Sequence, residues 1–296
     1  MFTIGHDETT RRQWWRSLGA LALGLAAWSA QAEDLEDLPK IKAAGVLTVA
    51  LYKDNAPYSD GDGDNAHGVD VALAQALAKE LGVRLSILAF QADENMGDDL
   101  RNMVWKGHYL GFGPADVMLH VPVDKYLIDN TPRTMIFAPY AREQLVLLHR
   151  LDNFESVNDL ADLGGKRLVA EQGSGAASLI MGQRGGLLRA NVTLRANGMQ
   201  AAQAVIADQA DAAYLTRAQA ESAVFLAKAN KAEFGFTNLP LNGLAGSASR
   251  GWPIGMAIKS SNQRLGMALE DALDKLRHNG ELQKIFNSHG LTLVTP

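Results

Sequence analysis

Apolar and polar positions follow a repeating order along the first half of the chain. The segments "GVLTVALY" (residues 45–52) and "VRLSILAF" (83–90) are apolar, β-branched runs of strand length. Between them, "VDVALAQALAKEL" (69–81) carries apolar residues at helical spacing. A second helix is predicted for 97–105, and "ADVMLHV" (115–121) is a third strand. Alternating strands and helices predict a parallel α/β sheet with right-handed crossovers.

The same order starts again after residue 142. "EQLVLLHR" is a strand, and "SVNDLADLGGKRLVAEQGSGAASLIMG" predicts a short capped helix, a strand, a Gly/Ser loop and a further helix. "DAAYLT" is another strand between two helical segments, and "GWPIGMAIKS" is an extended segment followed by two helices. Two α/β units with an extended return segment predict two lobes joined by two strands.

The first 32 residues have the pattern of a secretory signal peptide. A basic "TRRQWWR" precedes the apolar "SLGALALGLAAWSAQA", which ends on small residues before an acidic stretch. Cleavage is expected after Ala32, and the apolar run is too short for a membrane span of about 20 residues. Export is therefore predicted. Two arginines before bulky apolar residues also fit the twin-arginine route, so both this route and the general secretory route stay open. The expected location is the periplasm, with no embedding in the membrane.

Charge and composition exclude several functions. The net charge is −5 and no long basic run occurs, so nucleic-acid binding is not expected. The chain has no cysteine, which rules out disulfides and thiolate metal sites. The histidines lack metal-ligand spacing, and the sequence has neither a nucleophile-elbow nor a phosphate-loop motif. We therefore expect no metal, no cofactor and no enzymatic activity.

Four segments stand out in order along the chain: "IKAAGVLTVAL", "APYSD" with "HGVDVALAQALAKELGV", "SVNDLADLGGKRLVAEQGSGA" and "ALEDALDKLRHNGELQKIFNSHGL". Together they resemble the family 3 extracellular solute-binding proteins, which serve ABC importers. The resemblance implies an α/β, two-lobe periplasmic binding protein type II fold with a hinge cleft. It also implies a signal peptide over 1–32, lobe 1 from 33–142 and 246–296, and lobe 2 from 143–245. The implied function is binding of a small organic ligand for an ABC permease.

Loops at the carboxyl ends of strands contribute ligand contacts in such clefts. On lobe 1 they hold Asp54, Asn55 and Tyr58, which offer polar groups and an aromatic face. Tyr58 can equally pack the loop. On lobe 2, Ser174 stands at a predicted helix start, where free N–H groups and the helix dipole could hold an anion. A plain N-cap at Ser174 is the alternative.

Two positions depart from the amino-acid binders of that family. Where those binders grip the ligand carboxylate with an Arg after the third strand, this chain has Lys125; Arg133 is an alternative if the loop is longer. Where they pair the ligand ammonium with an Asp, "DAAYLT" ends in Thr216. His120, at the end of the third strand, is either a hydrogen-bonded core residue or a cleft contact. The predicted ligand is therefore not a standard α-amino acid, with Lys125, Thr216 and His120 as candidate contacts.

Two other functions remain open. "DVMLHVPVD" with "MIFAPYAREQLVLL" resembles the binding-protein-like accessory proteins associated with periplasmic quinoprotein (PQQ-dependent) alcohol dehydrogenases. That resemblance implies a dehydrogenase as partner. A few proteins that resemble the family are cyclohexadienyl-dehydratase-like enzymes, which need a carboxylate or His as general acid or base. Asp54, His120 and Lys125 could supply one, but their spacing does not demand it.

Overall fold

The structure is a computed structural model of the 296-residue chain and describes residues 37–154, 156–239 and 250–296. The predicted signal peptide lies outside the described residues, as does most of the return from lobe 2 before residue 250. Within the described part, no helix has the length and apolar character needed to cross a membrane.

The first part of the chain alternates strands and helices as predicted. It also contains three elements that the pattern did not predict: a two-stranded hairpin, a short helix after the third long strand, and a ten-residue strand that leads out of the lobe. In chain order the elements are α1 (Asp37–Ala44), β1 (Val46–Tyr52), β2 (Asp54–Asn55), β3 (Ser59–Asp60), α2 (Val69–Glu80), β4 (Arg84–Phe90), α3 (Met96–Leu100), β5 (Val117–Pro122), α4 (Lys125–Asn130) and β6 (Thr134–Glu143). The helix predicted for 97–105 is α3 continued by a π-helical turn, Arg101–Trp105.

The second part contains a second, separate set of strands and helices. The short capped helix predicted within "SVNDLADLGG" is a 3-10 turn, Leu160–Leu163, which begins with a capping box. The elements are β7 (Leu145–Arg150), β8 (Leu168–Glu171), α5 (Gly175–Gly182), β9 (Val192–Arg195), α6 (Gly198–Ile206), β10 (Ala212–Thr216), α7 (Arg217–Leu226) and β11 (Phe234–Thr237). The last part comprises β12 (Trp252–Lys259), α8 (Gln263–His278) and α9 (Glu281–Ser288).

Ten of the strands named above form two five-stranded sheets, one in each lobe, and β2 and β3 pair only with each other. The lobe 1 sheet has the order β4-β1-β5-β12-β6, in which β4, β1 and β5 are parallel and β12 is antiparallel to both of its neighbours. The lobe 2 sheet has the order β11-β7-β10-β8-β9, in which β10, β8 and β9 are parallel. Strand β12 therefore returns the chain to the first sheet, as the extended segment predicted.

Both sheets bury apolar side chains on both faces, which is the pattern of α/β sheets covered by helices. In lobe 1, Leu47 and Val49 belong to the core under α2 and α8, whereas Ala50 belongs to the core on the opposite face. In lobe 2, Leu147 and Leu148 likewise divide between two cores. Trp252 packs against a core of each lobe, so it lies where the lobes meet.

The segment 291–294 after α9 forms a further attachment between the lobes. Leu291 is buried in the lobe 1 core. Thr292 donates to the buried carboxylate of Glu221 on α7, from its backbone N at 2.7 Å and from Oγ1 at 2.9 Å. The backbone carbonyl of Val294 accepts a hydrogen bond from Arg142 N, at the end of β6, at 2.8 Å. This segment thus binds lobe 2 beside the strand that leaves lobe 1.

Candidate functional site

A cleft of about 560 Å³ lies between the two lobes, within the usual range for sites that bind small molecules. Its lobe 1 wall is the β2–β3 hairpin. Its lobe 2 wall consists of the carboxyl ends of β8 and β10 and the first residues of α5, α6 and α7. The residues that line it are Asp54, Asn55, Ala56, Asp60, Leu145, Glu171, Ser174, Gly175, Ala176, Leu179, Ala196, Asn197, Met199, Leu215, Thr216, Gln219 and Trp252.

Three helices of lobe 2 begin at the cleft. Ser174, Asn197 and Thr216 are their N-caps, and the side-chain oxygen of each accepts the backbone N–H of the third helical residue, at 3.0, 2.9 and 3.2 Å. These bonds satisfy one of the free N–H groups at each helix start and fix where the helix begins. The wall therefore presents three positive helix ends at defined positions.

Carboxylates stand on both walls of the cleft. Asp54 and Asp60 belong to the lobe 1 hairpin, and Glu171 is the last residue of β8 in lobe 2. Glu171 Oε2 accepts a hydrogen bond from Gln219 Nε2 at 3.1 Å, and Gln219 Oε1 accepts from Thr216 N at 3.2 Å. Glu171 is thus held against the start of α7.

The hairpin rests on a buried polar network in lobe 1. Asp70 is fully buried; its Oδ1 accepts from Tyr140 Oη at 2.7 Å, and its Oδ2 lies 3.0 Å from His120 Nδ1. The His120 ring contacts the Tyr58 ring with centroids 4.3 Å apart. Gly68, with φ of +125°, lets α2 begin against this loop, because a Cβ there would lie 2.3 Å from the Tyr58 carbonyl oxygen.

Glu143 connects this network to the hinge. Its buried carboxylate accepts hydrogen bonds from the Gln144 backbone N at 3.0 Å, from the Tyr58 hydroxyl and from the Ala218 backbone in lobe 2. Burial raises the pKa of Glu143 to about 6, although the nearby His120 and these three donors lower it. Burial, with the carboxylates of Glu143 and Asp70, also raises the pKa of Tyr58 far above its ordinary value, so its hydroxyl stays protonated and donates.

Four of the predicted contact residues line the cleft: Asp54, Asn55, Ser174 and Thr216. Ser174 is also the N-cap that the alternative interpretation described, so the two interpretations are compatible.

The other three predicted contacts do not line the cleft. Tyr58 is buried in the lobe 1 core, so the alternative of loop packing describes it. His120 is only 17% exposed and pairs with Asp70, which makes it a core histidine. The placement of Lys125 at the cleft was wrong. Lys125 begins α4, where its side chain is 87% exposed and forms an ion pair with Asp129 at 2.7 Å.

Several residues of the cleft were missed by the sequence analysis. Glu171 and Asn197 could have been found, since each stands directly between a predicted strand and a predicted helix start. Asp60 and Gln219 carry a weaker signal, because acidic loop residues and helical glutamines are common on surfaces. Trp252 stands at the start of the predicted return segment, where a large aromatic residue indicates a contact at the hinge.

Comparisons with known proteins agree with this architecture. No protein-family model matches the chain, and no curated protein matches its sequence. The chain is similar in structure to an ancestral cationic amino acid solute binding protein, with a TM-score of 0.64 and 20% identity over 86% of this chain and 99% of the other. The chain has the two-lobe fold of periplasmic binding proteins. The predicted fold class is thereby confirmed.

Two bacterial structures show the same fold. One is a polar amino acid ABC uptake transporter substrate binding protein from Streptococcus thermophilus, with a TM-score of 0.65 and 18% identity over 87% of this chain and 90% of that one. The other is an amino acid ABC transporter substrate-binding protein from Streptococcus pneumoniae bound to L-arginine, with a TM-score of 0.58 and 23% identity over 87% and 99%. At these identities the likeness establishes the fold and leaves the ligand open.

Proposed function

We propose that this chain is an exported solute-binding protein of the ABC-transporter type, which holds a small polar organic ligand between its lobes and presents it to a permease. The observation that carries the proposal is the cleft itself. Polar side chains from both lobes line it, at the hairpin of lobe 1 and at the strand ends and helix starts of lobe 2. A ligand that contacts both walls favours the closed form by its differential affinity, and a permease can recognise that form.

Site residues proposed for this ligand are Asp54, Asn55, Ser174 and Thr216. Of the three general acid or base candidates, His120 is paired with Asp70 behind the hairpin and Lys125 lies at the surface, so two of them do not line the cleft. This placement favours binding over dehydratase chemistry. The accessory role beside a quinoprotein dehydrogenase rests on the resemblance of two short segments, 116–124 and 135–148. No contact among the described residues favours it.

Thermal denaturation with a panel of small organic compounds tests the proposal. A compound present at 100 times its Kd raises the free energy of unfolding by about 2.7 kcal/mol. We expect the same compound to change the fluorescence of Trp252 at the hinge, and we expect this change in Trp105→Phe but not in Trp252→Phe. A panel that spans cations, anions, amino acids and neutral sugars and yields no stabilisation would refute a solute-binding role.

A further inference from the structure

The charges that line the cleft are all negative. Asp54 and Asp60 supply two carboxylates from lobe 1 and Glu171 supplies one from lobe 2, and no Lys, Arg or His is among the described side chains of the lining. A ligand carboxylate placed here would meet three like charges. The His67 ring, whose Nε2 lies 4.0 Å from Asp60 Oδ2, is outside the lining.

The positive ends of the three helices do not make the cleft positive overall. Each helix N-terminus is equivalent to about half a positive charge, so three of them offset about half of the three carboxylates. Ser174, Asn197 and Thr216 already accept one N–H group at each end, which reduces the number of donors left for an anion. The cleft therefore keeps a net negative charge, which favours a cation.

The basic side chains that could hold a ligand carboxylate lie elsewhere in lobe 1. Lys125 pairs with Asp129 at the surface. The Arg133 guanidinium lies over the ring of Trp105, 4.6 Å from its centroid, on the face of the sheet covered by the π-helical turn. Both groups are engaged outside the cleft.

Asn55 lies beside Asp54 on the lobe 1 wall and adds a neutral amide to the lining. An amide oxygen accepts hydrogen bonds, and ammonium and guanidinium groups donate them, so this side chain suits a cationic ligand.

We propose that the cleft binds an organic cation that has no carboxylate, such as a diamine or an amine with a guanidinium group. The inference rests on the proposed function and names its ligand class. Asp54 and Asp60 hold one cationic end from lobe 1, and Glu171 holds the other from lobe 2. Because the carboxylates stand on opposite walls, a molecule with two cationic ends draws the lobes together.

Isothermal titration with matched pairs of compounds tests this directly. Agmatine and L-arginine differ only in the carboxylate, as do cadaverine and L-lysine. We expect agmatine to bind at least tenfold more tightly than L-arginine and cadaverine at least tenfold more tightly than L-lysine, with both amines weakened by added salt. Equal or tighter binding of the two amino acids would overturn the proposal.

Variants locate the site. Asp54→Asn and Glu171→Gln should each weaken agmatine binding by tenfold or more, whereas Asp129→Asn, outside the cleft, should leave it unchanged. Unaltered melting temperatures of the free variants verify that they fold. If a neutral or anionic compound binds best and depends on Thr216, the charge inference fails and the binding function stands. If no compound of any charge binds, both fail.

Discussion

On the lobe 1 side of the cleft, the β2–β3 hairpin rests on a buried network of polar side chains, whereas on the lobe 2 side each helix start is fixed by its own N-cap. The network joins residues distant in sequence: Asp70 is 50 residues from His120 and 70 from Tyr140. Each N-cap bond, by contrast, joins two residues that are three positions apart in the sequence. One wall therefore depends on the whole lobe being folded, and the other on local contacts that remain when its surroundings move.

The largest loss of stability should come from removing Asp70, the centre of the lobe 1 network. Asp70→Ala leaves the His120 ring and the Tyr140 hydroxyl without their buried acceptor, and it should lower the free energy of unfolding by about 3 kcal/mol or more. Tyr140→Phe removes one of these bonds and should cost less. Chemical denaturation measures both. A loss below about 1 kcal/mol for Asp70→Ala would mean that the network does not support the hairpin.

Glu143 should make a smaller contribution to the free energy of unfolding, and this contribution should depend on pH. Its pKa rises from an ordinary 4.5 to about 6 on folding, so the folded protein binds a proton that the unfolded chain releases between those values. Stability from this group is therefore present below about pH 4.5 and is lost as the pH rises through 6, a change of about 2 kcal/mol. Relative to Glu143→Gln, the unmodified protein should gain about that amount when the pH falls from 7 to 4.5.

Tyr58→Phe sharpens the same measurement. It removes a donor to the Glu143 carboxylate, so it should raise the pKa of Glu143 further and move the upper end of the window to higher pH. Denaturation curves at a series of pH values follow both variants. A difference between the unmodified protein and Glu143→Gln that stays constant from pH 4.5 to 7 would contradict this account of the hinge.

The smallest effect should come from the caps of lobe 2. Asn197→Ala removes a single N-cap bond and should cost about 1 kcal/mol, as such substitutions do elsewhere. Lys125→Ala, at the exposed start of α4, is the matched control and should change stability by less than about 0.5 kcal/mol, because its ion pair with Asp129 is screened by solvent. If Asn197→Ala proved as costly as Asp70→Ala, the contrast between the two walls would not hold.

Both contacts predicted for lobe 2 line the cleft, whereas three of the five predicted for lobe 1 do not, and the reason is the same contrast between local and distant contacts. Ser174 and Thr216 could be recognised from a strand followed by a helix, since capping is local. His120 could not. Strand alternation predicts that the His120 side chain lies on the same face of the sheet as Met118. The His120 backbone, however, has φ of +61°, which turns the imidazole ring toward Tyr58 and Asp70. Val121 consequently packs with Met118, on the face opposite Leu119.

Lys125 illustrates a second limit. Counting residues from the third strand assumes that the chain continues past the cleft at a constant rise, whereas Asp124 caps a helix at this point by accepting the Leu127 N–H at 3.0 Å. The helix turns Lys125 to solvent. The two-lobe fold was predictable because it depends on the order of long apolar runs, and those survive such local changes of direction.

The segment 291–294 has a consequence for the mechanics of closure. The lobes are joined by Gln144, by the return into β12, and by Thr292, whose two bonds to Glu221 hold α7 beside the end of β6. Two bodies on a single flexible tether can twist and slide, but three attachments leave bending as the easy motion. Opening and closing then change mainly the width of the cleft. The lobes have little orientational freedom relative to each other in the free protein, so little of it is lost when a bound molecule closes them.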